Sequence, residues 1–179
     1  GCYRREVFER IGLFDEDLIR NQDDEFNLRL IKNGGKILLV PDIISAYYAR
    51  ASLSKLWSMY FQYGYFKPLV VRKVGAILTL RQTIPALFVG SLVFSGVFSF
   101  FSPIFFYLFI AAIGSYIAVD LGFSFLVALQ RGFKYILMLP LVFLTLHFSY
   151  GLGYMSGILD FFILKRYHRK KIKEVSLNR

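Results

Sequence analysis

The sequence predicts a mixed architecture: a short α/β segment, one amphipathic helix, and a mainly α-helical membrane region of about three spans. Three observations carry this reading. Hydrophobic residues make up 56% and aromatics 18% of the 179 residues, with a mean hydropathy of +0.50, well above the range of soluble domains. No charged residue occurs between Thr83 and Val119. The first fifty residues, by contrast, are polar and alternate short helix-period and strand-like stretches.

Taken in order, Tyr3 to Ile11 has helical character, with Val7, Phe8 and Ile11 on one side and Gly12 as a natural stop. Leu13 to Leu18 is a polar connection with two apolar anchors. A second helix is expected to start near Asn21, where Asn21 and Asp24 have the spacing of a capping box. It ends at Asn33-Gly34-Gly35. Lys36 to Val40 reads as a strand stopped by Pro41, and Ile43 to Ala49 as a second extended stretch. Residues 51–82 hold an amphipathic helix and its connector. Leu53, Leu56, Trp57, Tyr60, Phe61 and Gly64 share one face, which predicts a helix lying in the headgroup layer with Lys55 and Lys67 toward phosphates.

The membrane region covers residues 83–164. As one helix, the uncharged stretch would reach about 55 Å at 1.5 Å per residue, against a hydrocarbon core of about 30 Å. A hairpin of Ile84–Phe101 and Ile104–Val119 turning at Ser102-Pro103 resolves this. Asp120 to Lys134 is expected along the interface, and Tyr135 to Leu164 as a third span. The tail 165–179 opens with Lys165-Arg166-Tyr167-His168-Arg169-Lys170-Lys171, a positive-inside signal. Three spans from a cytoplasmic start would put that tail outside. A re-entrant segment or an additional crossing is one way to keep it inside.

The net charge of +10 reads as a membrane signal once mapped. Nine of the twelve acids lie between Glu6 and Asp42, while the basic excess flanks the apolar segments. This favours anionic lipid headgroups over nucleic acid, for which a soluble module with a basic face would be needed. Cys2 is the single cysteine, so no internal disulfide forms. The chain opens at Gly1 within a running α/β pattern and reads as the C-terminal part of a larger protein.

The stretch Asn21-Gln22-Asp23-Asp24-Glu25-Phe26-Asn27-Leu28-Arg29-Leu30 carries the most chemistry. Three carboxylates at a helix start complement its dipole, which is the plain reading. Its setting points further. Gly1-Cys2-Tyr3-Arg4-Arg5-Glu6-Val7-Phe8, then Ile11-Gly12-Leu13-Phe14-Asp15-Glu16, resemble the Gly-x-x-Phe-Arg-Arg and Gly-Gly-Phe-Asp-Glu block of family-2 glycosyltransferases of the GT-A type. Gln22-Asp23-Asp24-Glu25-Phe26, with Arg29-Leu30 and Gly34, resembles the family's Glu-Asp-x-Glu-Leu…Arg-Leu…Gly motif, with Gln22 replacing the usual Glu. Residues 1–50 thus resemble the C-terminal part of that catalytic domain.

The resemblance implies an inverting transfer from a nucleotide-sugar donor to a lipid-linked or saccharide acceptor, on the cytoplasmic side of the inner membrane of a multi-pass protein. Asp23 is the implied general base, and Asp24 the alternative one position on. A carboxylate within reach of a sugar hydroxyl takes its proton as the oxygen attacks. Gly1, Arg4, Glu25 and Arg29 are implied substrate-binding positions. A divalent metal, Mg or Mn, is implied for the full-length enzyme, with its Asp-x-Asp and the nucleotide-binding half expected before Gly1. The piece from Gly1 onward is expected to be inactive alone.

Met59-Tyr60-Phe61-Gln62-Tyr63-Gly64 resembles the Gln-Tyr-Phe-Arg-Tyr-Gly-like run of exopolysaccharide enzymes of the succinoglycan type, with Gln62 in place of the Arg. Trp57, Tyr60 and Tyr63 are either sugar-stacking rings or interface anchors, and Arg50 is a candidate phosphate contact. His147-Phe148-Ser149-Tyr150-Gly151 lies in the last apolar stretch. It reads as glycine-assisted helix packing or, more sharply, as a lipid-phosphate contact. A non-enzymatic transport or assembly subunit is the competing function; a charged group within the Ile84–Val119 hairpin would favour transport, and none occurs there.

Overall fold

The computed structural model describes residues 1–48, 51–75 and 80–165, and its regular structure there is entirely helical. Six α-helices run in the order α1 (Arg5–Ile11), α2 (Gln22–Lys32), α3 (Leu53–Val74), α4 (Ile84–Phe98), α5 (Pro103–Arg131) and α6 (Met138–Ile158). A π-helical turn, Leu159–Ile163, prolongs α6. Arg50 and the tail beyond Lys165 lie outside the described residues.

The expected strands do not form among the described residues. Lys36 to Val40 and Ile43 to Tyr48 are irregular, with Leu38, Leu39 and Ile44 exposed. A strand needs a neighbour to take its backbone N–H and C=O groups, and no described segment supplies one. The α/β part of the expected fold class is therefore represented only by its helices.

Helix α1 stops where expected: Gly12 takes φ 81°, and its N–H caps the Phe8 carbonyl. The capping box at α2 does not form. Asn21 sits in the left-handed region at φ 61° with no side-chain cap, and its Nδ2 donates to the Tyr63 carbonyl at 3.0 Å. The residue with the spacing of a local cap is a tether between α2 and α3. Tyr3, Phe8, Phe14 and Phe26 form an aromatic cluster that joins α1 to α2, with Tyr3 and Phe26 centroids 4.9 Å apart. Leu18, fully buried, plugs the α1–α2 connection into Tyr65, Phe66, Leu69, Val70, Val74 and Phe161. Burial of each such large apolar side chain contributes roughly 1.5–3 kcal/mol.

Helix α3 begins as predicted, with Ser52 capping Lys55 N. Its role differs from a helix wholly laid in the headgroup layer. From Gln62 onward it is largely buried against α6, although Leu53 and Trp57 at its start stay exposed. The contact is a seam of glycines. A methyl group on Gly64 would collide with the Tyr150 carbonyl, on Gly153 with the Phe61 carbonyl, and on Gly157 with the Tyr65 carbonyl. Backbones meet because these positions have no side chain, the small-residue packing expected of Gly151, Gly153 and Gly157. Gly151 serves α4 in the same way, its missing methyl facing the Pro85 carbonyl and Val89.

The hairpin turns at Ser102-Pro103 as the sequence requires, with Pro103 opening α5. Two boundaries change. Helix α4 has 15 residues, about 22 Å, and is shorter than a bilayer core. Helix α5 does not stop at Val119: no breaker interrupts it before Gly132 at φ 110°, so Asp120 to Arg131 continues the helix rather than lying separately along an interface. Asp120 turns inward and is buried. Among the described residues two helices are long and apolar enough to cross a membrane, Pro103–Arg131 and Met138–Ile163, where the sequence led to an expectation of about three spans.

Candidate active site

The carboxylates at the mouth of α2 open onto a cavity of about 500 Å³. Asn21, Asp23 and Asp24 form one side, and Tyr60, Tyr63 and Lys67 from α3 form another. Arg81 and Gln82 of the α3–α4 connection and Pro85 at the start of α4 close it, while Leu146, His147 and Tyr150 of α6 form the far end. The Asn21 tether fixes the mouth of α2 against α3, so the position of the acids follows from the packing.

The two neighbouring aspartates have different fates. Asp24 is ion-paired with Lys67 Nζ, a lysine whose side chain is 8% exposed. Asp23 lines the cavity, is exposed, and makes no hydrogen bond or ion pair among the described residues. A carboxylate held by an ammonium has fewer lone pairs open to the cavity than one without a partner. Glu25 is also committed: buried, it receives both Arg29 Nε (2.8 Å) and Nη2 (3.0 Å). Arg29 in turn donates to the Ile11 carbonyl and, at 2.8 Å, to the Leu13 carbonyl. The Glu25–Arg29 pair thus anchors the α1–α2 connection and does not line the Asp23 cavity.

The other sequence-derived positions scatter. Gly1 and Arg4 line a different cavity, of about 680 Å³, beside Asn27 and Leu30. Gln62 is 3% exposed and accepts a hydrogen bond from Arg20 Nε at 3.0 Å, so it serves the α2–α3 join. Trp57 is exposed and outside the Asp23 cavity, whereas Tyr63 lines it with Tyr60, their rings edge to face at 5.8 Å. Arg81, Gln82 and Pro85 join the site without any local sequence signal for it, while His147 and Tyr150 come from the 147–151 stretch singled out in the last apolar segment. They come from segments far along the chain, which only the α3–α6 seam brings to the mouth of α2.

The metal implied by the resemblance finds no cradle in this part of the protein. Among the described residues no three His, Cys, Asp or Glu side chains converge on a metal position. With Asp24 held by Lys67, Asp23 alone is left at the mouth. The mouth thus presents an exposed carboxylate beside cationic and aromatic walls.

Long apolar helices joined to an acidic, aromatic-walled cavity define a helical protein with two helices of membrane-crossing length and apolarity among the described residues. The comparisons narrow that class. The chain is 28% identical over 158 residues to the succinoglycan biosynthesis protein ExoA of Rhizobium meliloti (strain 1021), covering 88% of this chain and 46% of the relative. It is 49% identical over 61 residues, 34% of this chain and 19% of the relative, to the dolichyl N-acetyl-alpha-D-glucosaminyl phosphate 3-beta-D-2,3-diacetamido-2,3-dideoxy-beta-D-glucuronosyltransferase of Methanococcus voltae. The chain spans less than half the length of either curated relative. No family model and no solved structure matches it. The relatives bear out the glycosyltransferase resemblance read from the first fifty residues.

Proposed function

We propose that this chain is the acceptor-side and membrane-embedded part of an inverting glycosyltransferase, working at the cytoplasmic face of the inner membrane. A sugar passes from a nucleotide-sugar donor to a lipid-linked or saccharide acceptor. One observation carries the assignment within the site: of the two adjacent aspartates at the mouth of α2, Lys67 occupies Asp24 and leaves Asp23 free at the cavity. Asp23 takes the proton of the acceptor hydroxyl, the oxygen attacks the anomeric carbon, and the nucleoside diphosphate departs with the electrons of the broken bond. Tyr60 and Tyr63 offer faces for a sugar ring, and Arg81 a permanent positive charge. The Methanococcus voltae relative is by name a transferase acting on a dolichyl phosphate-linked sugar, which supports a lipid-linked acceptor.

The test uses the full-length protein in membranes with a radiolabelled nucleotide sugar. Asp23→Asn is expected to lower transfer by about 10²–10⁴-fold, the usual worth of a positioned base, with insertion unchanged. Asp24→Asn is expected to fall far less. Full turnover in Asp23→Asn would move the base elsewhere.

The transport reading gains one observation, Asp120 within α5, just past the segment in which no charge occurs. An upstream Asp-x-Asp after a nucleotide-binding βαβ pattern favours transfer over transport; its absence would falsify the transfer reading.

A further inference from the structure

Helix α5 is nearly bare except for one stripe. Asp120, Ser124 and Ala128 are its buried residues, one turn apart in succession, and Tyr116 begins the same line. Asp120 is 9% exposed, and its buried Oδ1 has no hydrogen-bond partner among the described residues. A carboxylate at that depth in an apolar helix is costly unless something compensates its charge. The available partner is His147 on α6. With Tyr116, Asp120 and His147 line a cavity of about 280 Å³ whose other walls are Val119, Phe123 and Phe143.

His147 belongs to two cavities at once: the one holding Asp120 and the one holding Asp23. Its orientation is fixed. Nδ1 lies 3.1 Å from Tyr116 Oη, and the Tyr116 ring is stacked on Phe88 at 4.7 Å. Nδ1 is thus engaged, and Nε2 is the ring nitrogen left for a ligand. With Nδ1 facing Tyr116 Oη, Nε2 can carry the N–H that a phosphate oxygen accepts, and the Asp120 carboxylate lines the same cavity beside the ring.

We propose that His147, beside Asp120 and oriented by Tyr116, binds the phosphate of a lipid-linked acceptor at the wall of the Asp23 cavity formed by α6. The inference rests on the lipid-linked acceptor of the proposed function but concerns different residues. Asp120 and Tyr116 are positioning residues. The Asp120 carboxylate has an electrostatic purpose in this arrangement, and the apolar walls around it lie beside the path of a lipid chain whose phosphate meets Nε2.

A phosphate in this cavity has two sources: the lipid headgroup or the departing nucleoside diphosphate. Direct binding to the full-length protein in detergent separates them, with farnesyl phosphate, farnesol and UDP as probes. Wild type is expected to bind farnesyl phosphate about tenfold more tightly than farnesol. His147→Gln and Asp120→Asn should erase most of that preference without changing farnesol or UDP binding, while Asp120→Glu retains it. Tyr116→Phe, which keeps the ring packing, should weaken the preference by about threefold. Equal farnesyl phosphate binding in wild type and His147→Gln overturns the proposal, as does a loss confined to UDP. If the phosphate preference and its loss are seen but the full-length protein transfers no sugar, the binding site stands and the transferase reading falls.

Discussion

Helices α5 and α6 are both long and apolar enough to cross a bilayer, yet they live in different surroundings. Only 6% of the most apolar stretch of α5 is buried within the chain, against 28% for α6. Both contain glycines, so glycine content is not the difference. A methyl group on Gly114 or Gly122 of α5 would meet nothing within 4 Å, whereas Gly151, Gly153 and Gly157 of α6 face backbone atoms of α3 and α4. One helix presents its side chains outward, as a lipid-facing helix does. The other is a structural mast onto which α3 fastens the acidic mouth of α2. Hydrophobicity alone places a helix in the membrane; the partner backbone decides whether it becomes part of the site.

That contrast is broken most directly at Gly153. Gly153→Val puts two methyl groups and a Cβ into the Phe61 backbone, which cannot move without parting α3 from α6. The expected cost exceeds about 3 kcal/mol, the upper range for overpacking, read as loss of the folded state in an SDS titration of the purified protein. Under the proposed function, sugar transfer should be lost with it. Unchanged stability would mean the seam is not the fastening. The same titration on Gly114→Ala should show no loss, and a gain of up to about 1 kcal/mol from helix propensity.

A second variant sharpens the role of the seam in the site. Lys67→Met removes the partner of Asp24 and leaves that carboxylate partly buried. Because the Asp24 side chain is 32% exposed, water screens part of the penalty, and the expected loss is about 1–3 kcal/mol, below the full cost for a buried orphan charge. The functional consequence is more telling. With Asp24 released, the double variant Lys67→Met/Asp23→Asn should recover part of the transfer lost in Asp23→Asn alone. No recovery in the radiolabelled-donor assay would mean that position, not pairing, excludes Asp24.

Much of this division is legible in the sequence, and the failures have physical causes. The stop at Gly12 and the turn at Pro103 follow from local rules that hold whatever surrounds them. Asn21 has the look of a cap because its spacing to Asp24 satisfies a local pattern, but a tertiary acceptor, the Tyr63 carbonyl, takes its side chain instead. The expected end of α5 before Asp120 fails because a charge reads as an interface marker; the residue's burial on one stripe is invisible until α6 is placed. Asp23 is legible because it sits inside a contiguous motif. Arg81 and Tyr150 belong to the same cavity through contacts across dozens of residues, which no local pattern encodes.

The smallest expected effect lies on the solvent side, where charge replaces backbone contact as the fastening. Lys73, near the end of α3, donates to Asp15 at 2.6 Å and to Asp17 at 2.9 Å, pinning the α1–α2 connection. Burial pulls its pKa down, but the two carboxylates outweigh that and raise it above its ordinary 10.5. A raised folded-state pKa means the folded chain holds the proton more tightly than the unfolded one. The stabilisation is therefore complete below pH 10.5 and declines as pH rises through the higher folded value. With its side chain 25% exposed, and an exposed pair worth at most about 1 kcal/mol, Lys73→Met should lower stability by less than that at neutral pH. The gap between wild type and variant should then close in alkaline titrations. A gap that persists unchanged above the folded pKa would assign the contribution of Lys73 to its aliphatic stem, making even this seam one of packing.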